Sequence, residues 1–246
     1  MTAVVDIQHL FVQRASDNYA CLYLNGKPVE TPIWRSLWNN SKIRAATDGA
    51  LSLIIERDSF LLPTFVGGDF DSVKEEDVVL AEKENIEIMH LPDENKTDMT
   101  KVLEVLLEKL KEKPEVKEVI ILGGLNGRFD HILSVLNSCL LCQRLTDKRL
   151  FIVDDRNLVF LVLPGTTKIN IDRSLLTKSC GFIPISQEET IVTTSGYRWD
   201  LKNQSIAFGN LISTSNEPIQ DEISIKTNAP LIITFELSES TVHHQF

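Results

Sequence analysis

The hydrophobic pattern of this 246-residue chain changes near residue 150. Before that point, apolar runs typical of buried strands alternate with amphipathic stretches typical of helices. This alternation predicts a parallel sheet covered by helices. After it, short Val-, Ile-, Phe- and Thr-rich runs separated by turn residues predict strands alone, arranged as a sandwich or a barrel-like domain. We therefore expect an α/β domain over residues 1–153 and an all-β domain over residues 154–246.

The pattern also predicts the individual elements. In the first part we expect strands at 19–24, 42–46, 64–67, 86–91 and 116–122, and helices at 32–40, 73–85, 97–113 and 129–145. In the second part we expect strands at 151–153, 158–163, 167–171, 181–185, 191–194, 205–208, 222–226 and 231–237. We interpret residues 211–216 as a loop.

Composition excludes several classes of function. With 25 basic and 35 acidic residues the formal charge is −10, which argues against nucleic acid as the partner. No apolar run approaches the roughly 18 residues that span a bilayer, and the N-terminus lacks the basic region of a signal peptide. The four cysteines are sparse, and although Cys139 and Cys142 have metal-ligand spacing, they lie in a helical pattern with no second pair. The histidines form no metal-site spacing, so we expect no zinc site. We expect a cytoplasmic protein that binds neither membrane nor nucleic acid.

Acidic residues follow two of the predicted strands. Asp69 and Asp71 come directly after a glycine pair, and residues two apart in an extended segment face the same side. Thr97 and Asp98 open a predicted helix near the same sheet edge. Two carboxylates about 4 Å apart repel by roughly 4 kcal/mol at an effective dielectric of about 20. This arrangement predicts a hard divalent cation that carries a polyphosphate.

A glycine-rich turn follows the strand predicted at 116–122. Its three glycines, Gly124 among them, precede a helix start, where free backbone N–H groups can cradle phosphate. Arg128 offers a fork of donors suited to phosphate oxygens. Asp130 could bind metal or hold Arg128, and a simple surface ion pair is the alternative interpretation.

The β region contains a different set of polar and aromatic residues. Trp199 stands beside a turn, where it could stack on a flat cationic ring or belong to the core. Ser213, Ser215 and Asn216 offer hydroxyl and amide groups that could bind ring nitrogens.

Each of these motifs alone is a weak signal, but together they are specific to one protein family. Six of them occur in a fixed order, and with them the chain closely resembles eukaryotic thiamin pyrophosphokinases over essentially its whole length. The motifs are Gly-Asp-Phe-Asp-Ser (68–72), Thr-Asp-x-Thr-Lys (97–101), Leu-Gly-Gly-Leu-x-Gly-Arg-Phe-Asp (122–130), Gly-Phe-Ile-Pro (181–184), Thr-Thr-Ser-Gly-x-x-Trp (193–199) and Ser-Thr-Ser-Asn (213–216).

The resemblance implies a Rossmann-like catalytic domain, a C-terminal β-sandwich domain and a homodimer with active sites at the subunit interface. It implies the transfer of pyrophosphate from ATP to thiamin, with Mg²⁺, to give thiamin diphosphate and AMP. Where the family usually has Asp-Gly-Gly-Ala, this chain has Ala50 in place of the second glycine.

The resemblance also implies roles for individual residues. Asp69, Asp71 and Asp98 would hold the metal and the phosphates. Our own hypothesis on the mechanism adds Asp71 or Asp98 as the acceptor of the thiamin hydroxyl proton. The ATP site would be completed by Asp48, Thr97, Gly124, Arg128 and Asp130. Trp199 would stack on thiamin across the dimer, with Ser213, Ser215 and Asn216 beside its pyrimidine ring.

Two other functions stay open at this point. One is a different magnesium-dependent nucleotidyl or phosphoryl transferase that uses the same aspartates. The other is a non-catalytic thiamin or nucleotide sensor. AMP release measured with and without thiamin separates all three.

Overall fold

The computed structural model describes residues 2–11, 18–26, 31–71 and 73–243. It divides the chain into two compact units, residues 15–155 and residues 1–14 together with 156–246. The first strand, β1 (Thr2–Asp6), therefore belongs to the second unit, although we expected residues 1–153 to form one domain. The physical reason is pairing, because Thr2–Asp6 lies in parallel register with the strand Gly165–Asn170.

The first unit is an α/β unit built on six parallel strands. Their order is β7-β6-β2-β3-β4-β5. In chain order its elements are β2 (Tyr19–Tyr23), α1 (Pro32–Asn40), β3 (Ile43–Thr47), α2 (Asp48–Ile55), β4 (Phe65–Gly68), α3 (Glu75–Lys83), β5 (Glu87–His90), α4 (Asp98–Lys109), β6 (Glu118–Leu122), α5 (Phe129–Gln143) and β7 (Arg149–Asp154).

The local sequence explains where these elements begin. Pro32 occupies the first turn of α1, where the missing N–H costs nothing. Thr97 caps α4 by accepting a hydrogen bond from the Thr100 N–H at 3.4 Å. The apolar stripe of α4 is buried, and β6 is buried along nearly its whole length. A strand buried on both faces is typical of a parallel sheet.

Helix α2 was not predicted. Five of its eight residues are Ala, Leu or Ile, so little polar face marks a helical period. Its position matters, because it begins at Asp48, directly after the carboxyl end of β3.

The second unit consists of two largely antiparallel sheets. One has the strand order β13-β10-β15-β8, and the other has the order β1-β9-β14-β11-β12, in which the pairing of β1 with β9 is parallel. The strands are β8 (Asn157–Val162), β9 (Gly165–Asn170), β10 (Leu176–Pro184), β11 (Thr190–Ser195), β12 (Gln204–Ile206), β13 (Ser213–Asn216), β14 (Glu222–Thr227) and β15 (Leu231–Leu237), followed by the short helix α6 (Glu239–Val242). The predicted fold class, an α/β domain followed by a β-rich one, is confirmed.

One strand of the second unit was predicted as a loop. The small polar residues of β13 show no apolar alternation, yet they pair with β10 through Cys180 opposite Asn216 and Phe182 opposite Ser213.

Across the described parts of the chain, no helix combines the length and apolar character needed to cross a membrane.

Candidate active site

Three carboxylates meet at the carboxyl edge of the parallel sheet. Asp48 follows β3, Asp69 follows β4, and Asp98 begins α4, so each lies where a strand end or a helix start meets this edge. One oxygen from each side chain lies within 4.8 Å of those of the other two. Three oxygens at this separation suit a hard divalent cation, which prefers carboxylate ligands. The donor set therefore fits Mg²⁺.

Asp48 is the buried member of the group, with only 2% of its surface exposed. Its carboxylate accepts hydrogen bonds from the backbone N–H of Gly49 at 2.6 Å and of Phe70 at 2.8 Å. Burial raises the pKa of Asp48, and the charges of Asp98 and Asp69 raise it further, against the two hydrogen bonds. A nearby cation would relieve both effects.

Gly68 leaves room for this carboxylate. A Cβ at position 68 would overlap the carboxyl carbon of Asp48, and one of the Asp48 oxygens would lie only 2.6 Å from it. The glycine before Asp69 is therefore needed because a side chain would displace Asp48.

Asp71 lies outside the three-carboxylate group. We expected an extended segment that turns Asp69 and Asp71 to one side, but Phe70 has a φ of 64°, which bends the backbone there. The Asp71 N–H donates to Asp69 Oδ1 at 3.2 Å, and the Asp71 side chain is exposed. Ser72, which ends this motif, lies outside the described residues. A metal role for Asp71 stays a prediction.

A buried lysine already offsets part of the negative charge. Lys101 Nζ lies 2.7 Å from Asp98 Oδ1 and forms an ion pair whose angles do not meet those of a hydrogen bond. Lys101 Nζ also donates a hydrogen bond to the Leu91 carbonyl at 2.7 Å. Lys101 is 7% exposed, whereas Lys96 is exposed and pairs with Glu104 at 2.7 Å. Lys101 thus belongs to the acidic site itself.

A cavity of about 250 Å³ opens beside the acidic group. It collects Thr97, Asp98, Gly124 and Arg128, four of the residues predicted from sequence. Its walls also include the residues Leu24, Asn25, Gly26, Met99, Asn126, Gly127, His131, Ser134 and Val135.

The glycine-rich loop at this cavity has an unusual backbone. Gly123, Gly124 and Gly127 have φ values of 92°, 94° and 89°, which other residues rarely adopt. A Cβ on Gly124 would also lie 2.8 Å from Leu24 Cδ1. Both the backbone conformation and the packing therefore require glycine at position 124.

Arg128 and Asp130 form a bidentate pair at the mouth of the loop. Arg128 Nε donates to Asp130 Oδ1 at 3.1 Å, and Nη2 donates to Oδ2 at 2.6 Å. The guanidinium lowers the pKa of Asp130, and both side chains are largely exposed, at 71% and 65%. An exposed pair of this kind is weak, so a phosphate can replace Asp130 as the partner of Arg128.

The β-rich unit presents Trp199 at its surface. The side chain is 57% exposed, so the alternative that Trp199 belongs to the core does not hold. Buried Asn216 fixes the Trp199 backbone, because its Nδ2 donates to the Trp199 carbonyl at 2.9 Å and its Oδ1 accepts the Trp199 N–H at 3.3 Å. The Arg198 guanidinium lies 5.6 Å from the ring centroid, so the ring already attracts a cation.

The serines of β13 differ in exposure. Ser213 is partly buried, whereas Ser215 is exposed with a φ of 59°. Within this unit, Trp199 and Asn216 are brought into contact, and Ser213 and Ser215 precede Asn216 on the same short strand.

Two features of the site were not found from sequence. The sequence predicts Asp48 as a nucleotide contact and not as a member of the carboxylate group, although its position after a strand is a usable signal. Asp154 holds the glycine-rich loop through Leu125 and Asn126, whereas from the sequence we expected residue 154 only as the start of the all-β domain.

Comparisons with known proteins agree on one family. Residues 34–152 match the family model "Thiamin pyrophosphokinase, catalytic domain", and residues 166–232 match "Thiamin pyrophosphokinase, vitamin B1 binding domain". The chain is 39% identical over 222 residues to thiamin pyrophosphokinase 1 of Caenorhabditis elegans, which covers 88% of each protein. It is 31% identical over 242 residues to thiamine pyrophosphokinase 2 of Arabidopsis thaliana, covering 90% of this chain and 87% of that one.

Solved structures show the same fold. Thiamin pyrophosphokinase from Candida albicans superimposes with a TM-score of 0.83 at 19% identity, covering 96% of this chain and 93% of the other. The yeast enzyme gives 0.82 at 22% identity, covering 98% and 93%.

The two units therefore define a two-domain transferase with a catalytic α/β part and a vitamin-binding β part. The chain belongs to the thiamin pyrophosphokinase family, the thiamin diphosphokinases.

Proposed function

We propose that the chain transfers pyrophosphate from ATP to the hydroxyl of thiamin and that it requires Mg²⁺. The thiamin oxygen attacks the β-phosphorus of ATP, the bond from that phosphorus to the bridging oxygen of the α-phosphate breaks, and AMP leaves. The hydroxyl proton is lost, and thiamin diphosphate forms. The group Asp48, Asp69 and Asp98 beside a glycine-rich cavity is the observation that carries this proposal.

Asp69 and Asp98 would hold the metal, with Asp48 as the third carboxylate. Mg²⁺, when bound, offsets the negative charge of the triphosphate. Asp71 is exposed on the turn that follows Asp69, which leaves it free to approach the metal or the substrate. Asp71 or Asp98 accepts the proton of the thiamin hydroxyl.

The glycine-rich loop and Arg128 bind the phosphates of ATP. The loop leads into the start of α5, where unpaired N–H groups favour an anion. Arg128 exchanges its exposed carboxylate partner for phosphate oxygens and stabilises the charge that develops as AMP leaves. Thr97, Gly124, Asp48 and Asp130 complete the nucleotide site.

Trp199 binds thiamin through its exposed ring face. Thiamin carries a cationic ring, and a cation over an indole is stabilised by about 0.5–2 kcal/mol. The Arg198 guanidinium lies within cation–π distance of this ring and also pairs with Glu217 at 2.9 Å, so thiamin would stack on the ring face opposite Arg198. Ser213, Ser215 and Asn216 place polar groups beside the pyrimidine ring of the substrate.

A homodimer with active sites at the subunit interface is part of the proposal. Large apolar side chains are exposed on both units, and a partner subunit would cover them. Phe129 and Leu133 on α5 are 72% and 51% exposed, and Phe208 in the β-rich unit is 74% exposed.

A cytoplasmic location completes the proposal. All four cysteines are free and buried, as expected of a protein that works under reducing conditions.

The decisive experiment measures AMP release from ATP and Mg²⁺ with and without thiamin. The proposal expects AMP only when thiamin is present, together with thiamin diphosphate. AMP release without thiamin would support a different nucleotidyl or phosphoryl transferase, and thiamin or ATP binding without turnover would support a sensor. A variant, Asp71→Asn, tests the role of Asp71, because turnover near wild type at saturating Mg²⁺ would remove that residue from the mechanism.

A further inference from the structure

A buried carboxylate outside the acidic group contacts the glycine-rich loop. Asp154 ends β7 and is 2% exposed. Its Oδ2 accepts the Leu125 N–H at 2.6 Å, and its two oxygens accept Asn126 Nδ2 at 3.1 and 3.0 Å. One side chain therefore holds two consecutive residues at the centre of the loop.

The loop needs such an attachment because its own backbone restrains it weakly. Gly123, Gly124 and Gly127 lack a Cβ and have access to many backbone conformations besides the one observed. The Gly123 N–H continues the sheet by donating to the Val153 carbonyl at 3.0 Å, and α5 begins at Phe129. Leu125 and Asn126 lie between these two ends.

The chemistry of Asp154 suits this task. An ionised carboxylate only accepts hydrogen bonds, and its bonds are stronger than those of a neutral acceptor. Placing a carboxylate in the interior is costly, and burial raises the pKa of Asp154 in spite of the bonds from Leu125 and Asn126. The neighbouring Asp155 is exposed, and the loop donates its hydrogen bonds to Asp154 instead. A carboxylate whose burial is energetically unfavourable, such as Asp154, is a candidate for a functional role.

We propose that Asp154 is a positioning residue that holds the glycine-rich loop in its phosphate-binding shape before ATP arrives. Asp154 does not contact the reacting atoms, and it acts through Leu125 and Asn126. The inference rests on the proposed function of the loop. The proposal predicts that the affinity for ATP falls when the Asp154 side chain is removed, because ATP binding must then also order the loop.

Amide hydrogen exchange of the ligand-free protein tests the structural half of the proposal. In Asp154→Ala we expect the Leu125 amide, whose N–H donates to Asp154, to exchange at least about tenfold faster than in wild type, while the amides of Gly123, β6 and β7 keep their protection. The matched control is Asp155→Asn, which removes an adjacent exposed charge and tolerates the φ of 51° found there. Asp154→Asn keeps the volume and one acceptor oxygen, so it should show a smaller increase and serves as the test if the alanine variant does not fold. Loop exchange within about twofold of wild type in the folded Asp154 variants would overturn the proposal.

Steady-state kinetics test the functional half. We expect the KM for ATP to rise about tenfold to a hundredfold in Asp154→Ala, with the KM for thiamin within about twofold of wild type. A merely structural defect would raise both KM values together or lower kcat alone, and either result would overturn the proposal. If wild-type protein formed no thiamin diphosphate, the proposed function would fail, whereas the exchange experiment uses no substrate and would still decide the role of Asp154.

Discussion

The substitution Asp69→Asn should stabilise the metal-free protein while abolishing its stabilisation by Mg²⁺. At the 4.8 Å limit of the carboxylate group, each pair of charges repels by roughly 3.5 kcal/mol at an effective dielectric of about 20 and by roughly 0.9 kcal/mol in water. Asp69 takes part in two such pairs but is partly exposed, and Lys101 offsets the charge of Asp98. We therefore expect the free energy of unfolding to rise by about 1–2 kcal/mol. The amide introduced by the substitution still offers an oxygen to the Asp71 N–H, so the local turn is retained.

Urea unfolding measures both effects, first with EDTA and then with Mg²⁺. For wild type, Mg²⁺ at about a hundred times its Kd should add about 2.7 kcal/mol to the free energy of unfolding. In Asp69→Asn that gain should largely disappear, because two carboxylates remain of three. The matched control is Asp71→Asn, two residues away and exposed, which should stay within about 0.5 kcal/mol of wild type in EDTA.

The result that refutes this reasoning is the opposite pattern. If Asp69→Asn were less stable than wild type in EDTA and still gained stability with Mg²⁺, the carboxylates would not form a strained cation site. If Asp71→Asn lost the Mg²⁺ effect while Asp69→Asn kept it, Asp71 would hold the metal in place of Asp69.

Three further predictions concern the same sites. Gly68→Ala should lower the Mg²⁺-dependent stabilisation and cost about 1–3 kcal/mol in the free energy of unfolding, since its Cβ overlaps the Asp48 carboxylate. An Mg²⁺-dependent gain equal to that of wild type in this variant would contradict the role given to Gly68. Trp199→Ala should raise the KM for thiamin about tenfold and leave the KM for ATP nearly unchanged, whereas Trp199→Phe should recover part of the loss. An unchanged KM for thiamin in Trp199→Ala would exclude stacking. The pKa of Asp48 is raised in the folded protein, so without metal the contribution of Asp48 to the free energy of unfolding should fall as pH rises through that pKa. Calorimetry should show the affinity for Mg²⁺ growing over the same pH range, because the ionised carboxylate is the ligand. An affinity independent of pH from about 4 to 7 would contradict this prediction.

The parts of the fold that follow local patterns were predictable. The expected helix at 32–40 coincides with α1, and the expected strand at 116–122 contains β6, because a proline start and a continuous apolar run are local signals. The two strands β1 and β13 were not predicted. The residues of β13 are small and polar and show no apolar alternation. Strand β1 is largely exposed and pairs with a strand about 160 residues later. Pairing over such a distance leaves no local pattern in the sequence.

In the candidate site, too, some residues have a local sequence signal and others do not. Residues Thr97, Asp98, Gly124 and Arg128 could be grouped because each follows a strand in a motif, and they line one cavity. The place of Asp48 in the carboxylate group depends on the bend at Phe70 and on the space left by Gly68, neither of which periodicity reveals.

The identity of the transferred group tests the central claim most directly. Phosphorus NMR can follow wild-type protein with ATP, thiamin and Mg²⁺ until ATP is consumed. Transfer of an intact pyrophosphate predicts equal amounts of AMP and thiamin diphosphate, with no ADP and no thiamin monophosphate. Formation of ADP, or of AMP with free pyrophosphate in place of thiamin diphosphate, would contradict the account.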